Sequence, residues 1–192
     1  VVRISKVGNK LLAFFKLFRQ AINLARINDQ IYTLDVYSTG FSALLASKVT
    51  GRRLIARFTG DSAWETAYNR GWTKDNIVDF QKKFINWKIF LNKWRRNTIL
   101  KACDVVITDC YFLKNLLVSF DVQESKIMVV HNSVEYLPKP NDFNKEQFKR
   151  ENNLKEKVIL TVCRLVPWKG VGTVMKLLPD LKLWHWLSAN LL

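Results

Sequence analysis

DVVITDCYFLKNLLVSFDVQESKIMVVHN, residues 104–132, is the stretch whose reading decides the fold. DVVIT (104–108) and KIMVV (126–130) are short runs dominated by Val, Ile and Met, and FLKNLLVSF (112–120) between them has the apolar spacing of a helix. Such strands lack the in–out alternation of a half-exposed strand, as expected where a parallel sheet is covered on both faces.

The same alternation extends toward the amino terminus. KLLAFFKLFRQAINLAR (10–26) reads as an amphipathic basic helix, with Leu11, Phe14, Phe18, Ala21, Ile22 and Ala25 opposite Lys16, Arg19, Asn23 and Arg26. IYTLDVYS (31–38) reads as a strand, FSALLASKVTG (41–51) as a helix with Gly51 at its carboxyl cap, and RRLIARFTG (52–60) as a second strand ending in a Gly60-Asp61 turn. Residues 80–101 are predicted to form one helix whose stripe of Phe80, Phe84, Trp87, Leu91, Trp94 and Thr98 packs in the core, leaving Lys82, Lys83, Lys93 and Arg96 outside it. Beyond His131-Asn132 the alternation stops. Residues 138–157 are polar and Pro- and Asn-rich, as suits a crossover carrying a short helix, and KVILTVC (157–163) opens a second unit. The predicted fold class is α/β, a doubly wound, Rossmann-like parallel sheet. Its parts are an amino-terminal domain over 1–137, a linker over 138–157 and the start of a second domain over 158–192.

Composition narrows the classes. At 192 residues with 48% apolar and 24% charged side chains, the chain is long enough for a core and is not of disordered type. Apolar stretches are broken by Lys16, Asp35, Lys48 and Arg57, so no membrane span is expected. Three cysteines, Cys103, Cys110 and Cys163, lack metal-ligand spacing and point to a reducing compartment. The net charge of +15 favours anionic partners. Residues 1–30 hold six basic side chains and one acid, Asp29, and residues 81–101 hold seven basic side chains and none acidic. These stretches fit either a negatively charged surface or ordinary solvated faces. No helix-turn-helix, zinc-finger or RNP-like pattern accompanies the charge, so nucleic acid is not an expected partner.

Ligands of open parallel sheets bind beyond the carboxyl ends of the strands, here Ser38-Thr39-Gly40, Gly60-Asp61, Asp109, His131-Asn132 and Cys163-Arg164. The last lies within ILTVCRLVPWKGV (159–171), where a strand delivers Arg164, a loop with Pro167 follows, and Lys169-Gly170 lead into a helix. Two cations beside a helix start suit a diphosphate. Asp61 could orient a hydroxyl or cap the helix after it, and the cap is the favoured reading. Trp64 and Glu65 fit sugar contact or packing, and His131 is read as structural.

ILTVCRLVPWKGV resembles the GRL-x-x-x-KG signature of the group 1 glycosyltransferases, family 4, of GT-B fold. YSTGFSALLASKVTGRRLIARFTGDSAWETAYNRG (37–71), DVVITDCYFLKNLL (104–117) and KIMVVHNSVE (126–135) are similar to further segments of that family, in the same order. The resemblance implies retaining transfer of a sugar from a nucleotide-sugar donor to a sugar or lipid-linked acceptor, in cell-surface glycan synthesis. It implies a cytoplasmic protein, in part at the inner membrane face, in contact with anionic lipid. Arg164 and Lys169 would bind the donor diphosphate, and Gly40, Gly60, Asp61 and Asn132 would line the acceptor cleft, with Asp61 the candidate catalytic group. No metal or cofactor is implied beyond the donor as substrate.

Departures from the pattern are Cys163 for a glycine before Arg164, Ser133 for the glycine after Asn132, and Gly172 where an acid is common. The family's Gly-rich start and E-x7-E motif have no counterpart, which implies a chain truncated at both ends whose second-unit strand has no sheet to join. The alternative is an inactive remnant acting as a basic membrane-surface module.

Overall fold

The computed structural model describes residues 10–136, 138, 143–154, 158–177 and 186–188. Two compact units, Val1–Ser133 and Val134–Leu192, divide the chain.

In the first unit a helix α1 (Lys10–Arg26) precedes β1 (Gln30–Thr33), α2 (Thr39–Thr50), β2 (Arg53–Arg57), α3 (Ser62–Asn69), α4 (Ile77–Gln81), α5 (Trp87–Ala102), β3 (Val105–Thr108), α6 (Tyr111–Ser119) and β4 (Ile127–Val129). All pairings are parallel, in the order β1-β2-β3-β4. This is the predicted Rossmann-like α/β architecture. Leu54, Ala56 and Val106 share one buried cluster with Leu44 of α2, Ile99 and Leu100 of α5, and Leu113, Leu116 and Leu117 of α6. A sequential strand order with right-handed crossovers lays these helices on one side of the sheet. Side chains of the opposite face are less covered, with Ile55 and Ile107 half-buried and Tyr32 and Met128 exposed. That face is where a doubly wound sheet carries its other helix layer.

Two segments differ from expectation. The run 31–38 yields a strand only to Thr33, because the next residues turn on their own side chains. Thr33 Oγ1 donates to the Asp35 carbonyl at 2.8 Å, and the Asp35 carboxylate accepts from the backbone N–H groups of Tyr37, Ser38 and Thr39 at 2.9, 2.9 and 2.7 Å. Asp35 thereby caps α2 from three residues before Ser38. Burial pushes its carboxyl upward, but the hydrogen bonds from Thr39, Ser38 and Tyr37 outweigh it and hold the group below its ordinary 3.8. At the other end of α2, Gly51 takes the left-handed conformation (φ 68°) and its N–H reaches the Ser47 carbonyl, as predicted.

The second correction concerns 80–101, which is two helices and not one. α4 ends at Gln81, and α5 starts afresh behind Asn86, whose side chain accepts from the Ile89 N–H at 3.0 Å. Lys93 reaches back to close α4, its ammonium donating to the carbonyls of Phe80 at 2.5 Å and Lys83 at 2.9 Å. The buried side of α5 is Ile89, Arg96, Ile99 and Leu100. The predicted stripe is core only at Phe80, while Phe84, Trp87, Leu91 and Trp94 face solvent. Among the described residues, no helix is long and apolar enough to cross a membrane.

The second unit contains α7 (Lys145–Glu151), capped by Asn144, then β5 (Ile159–Thr161), a 3-10 turn at Pro167–Lys169, α8 (Val171–Leu177) and β6 (Trp186–Ser188). The short helix expected in the crossover is α7. β5 pairs in parallel with β6, so the expectation that this strand has no sheet to join is corrected. Parts of the predicted 138–157 linker and of the predicted 158–192 segment, namely 139–142, 155–157, 178–185 and 189–192, lie outside the described residues.

Candidate functional site

The carboxyl ends of β2, β3 and β4 bring four polar side chains together. β3 stops at Thr108, placing Asp109 beyond it, and β4 stops two residues before His131 and Asn132. Arg57, the last residue of β2, donates to the Asn132 side-chain carbonyl at 2.6 Å, and the Asn132 amide nitrogen lies 3.3 Å from Asp109 Oδ2. The result is a chain of cation, amide and carboxylate across three strands. His131 Nδ1 lies 2.8 Å from the Asp109 carbonyl. Since a carbonyl only accepts, Nδ1 carries the proton and Nε2 of the neutral ring is the acceptor. The Tyr111 ring meets the imidazole edge-on at 6.0 Å. Asp109 Oδ1 is buried with no hydrogen-bond partner among the described residues. His131, Asn132 and Tyr111 are exposed, so this edge offers donors and acceptors to a polyhydroxyl or anionic ligand.

Asp61 lies deeper. Its carboxylate caps α3 through the Ala63 N–H at 3.0 Å, accepts from the Tyr37 hydroxyl at 2.6 Å and from Gln81 Nε2 at 2.8 Å, and pairs with Arg96 at 2.5 Å. Both charged side chains are essentially without solvent contact. Burial raises the Asp61 carboxyl, yet the Arg96 charge and the hydrogen bonds from Tyr37, Gln81 and Arg96 prevail and hold it below 3.8. Burial, and then the Asp61 charge, drive the Tyr37 phenol far above its ordinary 10.0. The cap reading of Asp61 is the one the geometry carries, with an internal ion pair that the sequence did not announce. Arg96 also bonds Gln81 Oε1 at 3.1 Å and stacks on Phe120 at 3.8 Å, so its guanidinium is satisfied on several sides.

Gly40 is buried in the first turn of α2, where an added Cβ would sit 2.1 Å from the Asp35 carbonyl oxygen. Its role is this close backbone approach. Gly60 lies just before the Asp61 cap, with Glu65 Oε1 3.3 Å from where a Cβ would be. Trp64 is half-buried, meets the Tyr68 ring at a tilt of 52° with centroids 5.3 Å apart, and donates its indole N–H to the Asp75 carbonyl at 3.0 Å, which is packing. Of the predicted cleft residues, only Asn132 joins the exposed edge with Asp109 and His131. Arg57 and Arg96 were missed. The signal for Arg57 was a cation closing the apolar run of β2, and the signal for Arg96 was its spacing from Ile89, Ile99 and Leu100.

In the second unit, Arg164 follows β5 and Lys169 closes the 3-10 turn. The Val166 N–H reaches the Arg164 carbonyl at 2.8 Å, and the Lys169 N–H reaches the Val166 carbonyl at 3.0 Å. Gly170 at φ 71° then starts α8 through hydrogen bonds from the Thr173 and Val174 N–H groups to its carbonyl. Both cations are exposed, and Cys163, next to Arg164 in the chain, is half-buried. No group of three or more metal-ligating side chains occurs among the described residues.

No protein-family model matches the sequence, and no curated protein matches it. Solved structures share its fold. The Anabaena protein Alr3699/HepE in complex with UDP-glucose superposes with a TM-score of 0.62 at 14% identity, over 85% of this chain and 40% of that one. The same protein in complex with UDP gives 0.63 at 15% identity, over 86% and 40%. A candidate UDP-N-acetylglucosamine 2-epimerase from Listeria monocytogenes gives 0.50 at 15%, over 93% and 45%. This chain therefore spans less than half the length of each. The likeness shows the fold, a Rossmann-like parallel sheet flanked by helices.

Proposed function

We propose that the chain belongs to a glycosyltransferase of the group 1, GT-B kind, which moves a sugar with retention from a nucleotide-sugar donor to an acceptor hydroxyl. The reading rests on one conjunction. A chain folded like a protein held in complex with UDP-glucose carries Arg164 and Lys169 on the loop that follows its second-unit strand. A nucleoside diphosphate leaves with growing negative charge, and fixed cations act most strongly where that charge develops. Arg164 and Lys169 bind the donor diphosphate. On the first unit, Asn132, Asp109 and His131 bind the acceptor sugar, while Asp61 and Gly40 hold the backbone behind them. The acceptor is a surface glycan or a lipid-linked sugar, and the reaction takes place in the cytoplasm at the inner membrane face.

The test is a titration of the isotopically labelled chain with UDP and, separately, with inorganic phosphate, followed by amide NMR. The expected result is that UDP shifts the amides of Arg164 and Lys169 to Val171, that phosphate alone does so more weakly, and that Arg164→Ala with Lys169→Ala abolishes both effects. No perturbation at millimolar UDP, or shifts unaffected by those substitutions, overturns the assignment of the donor site.

A further inference from the structure

We propose that Arg57 recognises a carboxylate, and that the acceptor bound at the carboxyl edge of the first-unit sheet is a sugar acid of the uronate class. This site rests on the acceptor reading above, to which it adds a residue and a ligand charge. Arg57 closes β2, where its register partner is Ile107 of β3, itself paired with Met128 of β4. The ladder runs one step past the strands, through the Phe58 N–H to the Ile107 carbonyl and the Val130 N–H to the Thr108 carbonyl, both at 2.8 Å. Side chains two apart along a strand share a face, which puts Arg57, Asp109 and Asn132 on the same side of the sheet. Their hydrogen bonds agree with that placement.

The three side chains form an oriented relay. A guanidinium only donates and a carboxylate only accepts, so one orientation of the Asn132 amide satisfies both neighbours. It is the one observed, with Oδ1 toward Arg57 at 2.6 Å and Nδ2 toward Asp109 Oδ2 at 3.3 Å. Asp109 thereby sets the amide, and the amide sets the half-buried Arg57. Arg52, Lys83, Arg96, Lys101 and Lys114 each have a carboxylate within 4.0 Å, whereas Arg57 has none among the described residues. A guanidinium fixed at one nitrogen keeps N–H groups for the two oxygens of a carboxylate. Charge selects the carboxylate over a phosphate. Arg57 brings one positive charge and Asp109, on the far side of Asn132, one negative charge, so a dianion is repelled more than a monoanion is. Nε2 of His131, the hydroxyl of the exposed Tyr111 and the second amide hydrogen of Asn132 remain for the hydroxyls of the ring.

The experiment is amide NMR of the whole labelled chain, titrated in turn with D-glucuronate, D-glucose and D-glucose 6-phosphate at matched ionic strength. Expected are shifts at Arg57 to Thr59, Asp109 to Tyr111 and His131 to Ser133, with glucuronate bound about threefold or more tighter than glucose. Arg57→Gln should bring glucuronate down to the affinity of glucose and leave glucose unchanged. Arg53→Gln removes the same charge from the exposed amino end of β2 and should leave the preference intact. Circular dichroism checks that both variants fold. The proposal is overturned, and the acceptor reading left standing, if glucose and glucuronate bind equally or if Arg57→Gln weakens both alike. It is overturned equally if Arg53→Gln removes the preference as fully as Arg57→Gln does. Tighter binding of glucose 6-phosphate than of glucuronate, lost with Arg57→Gln, would overturn the carboxylate and assign the site to a phosphate. No response of these amides to any of the three sugars overturns the proposal and the acceptor reading together.

Discussion

Replacing Arg96 by methionine keeps most of the side-chain volume and removes the guanidinium that neutralises Asp61. Neither partner has meaningful solvent contact, so water cannot take over the role. Breaking a buried pair by removing one member typically destabilises by about 3–5 kcal/mol. Asp61 keeps its hydrogen bonds from Tyr37, Gln81 and the Ala63 N–H, which places the expected loss near the lower bound, about 3 kcal/mol. With a urea slope of about 2 kcal/mol/M, the unfolding midpoint should fall by about 1.5 M. The pH dependence gives an independent reading. In the native chain Asp61 titrates below 3.8, so its stabilisation is present above that value and is lost as pH falls through the lower native one. Without Arg96 its charge and hydrogen bond no longer oppose burial, so the carboxyl titrates higher than in the native chain, and the deficit of the variant should be largest at neutral pH and should shrink as the medium is acidified. Adding Asp61→Asn should then recover part of the loss, because no charge is left buried and asparagine is still a good helix cap. Urea melts of the wild type, both single variants and the double variant, at neutral and mildly acidic pH, make the measurement. An Arg96→Met midpoint within experimental error of wild type, or losses for the two substitutions that simply add, would refute the coupling.

Gly40→Ala forces a Cβ into the Asp35 carbonyl, 2.1 Å away, and should lower stability by at least about 1–3 kcal/mol, read by thermal melting, whereas an unchanged melt would show that α2 can shift freely. Asp35→Ala removes a carboxylate that accepts three backbone N–H bonds and should cost about 1–2 kcal/mol, with hydrogen exchange at Tyr37, Ser38 and Thr39 speeding up before that of the strands. Nitrogen NMR of neutral His131 should show the proton on Nδ1, since that atom faces the Asp109 carbonyl, and a majority of the other tautomer would contradict the arrangement of the β3–β4 edge. Asn132→Ala should release the Arg57 side chain with little loss of stability, because the group is exposed, and on the proposed function it should weaken binding of an acceptor sugar, which calorimetric binding beside a melting curve separates from stability.

Much of the fold is legible along the chain because its determinants are local. Short Val- and Ile-rich runs separated by helical patterns name β2, β3 and β4. A glycine after a helical run names the end of α2, and an aspartate before Ala-Trp-Glu names the start of α3. The loop that carries Arg164 and Lys169 is legible in the same way, since a strand, a proline turn and a following helix are local signals. β1 was overextended because Asp35 takes the backbone N–H groups of the next turn, a competition that β propensity does not register. α5 shows what periodicity leaves open. It carries two stripes, the aromatic one through Trp87, Leu91 and Trp94 and a mixed one through Ile89, Arg96, Ile99 and Leu100, and hydrophobicity alone ranks the aromatic stripe first. Tertiary structure chose the other, because Asp61, brought from 35 residues away, gives Arg96 a partner that makes its burial tolerable. The edge of Arg57, Asn132, Asp109 and His131 has the same origin. Sequence supplied each residue at a strand end, and only the parallel register of β2, β3 and β4 set them within hydrogen-bonding distance.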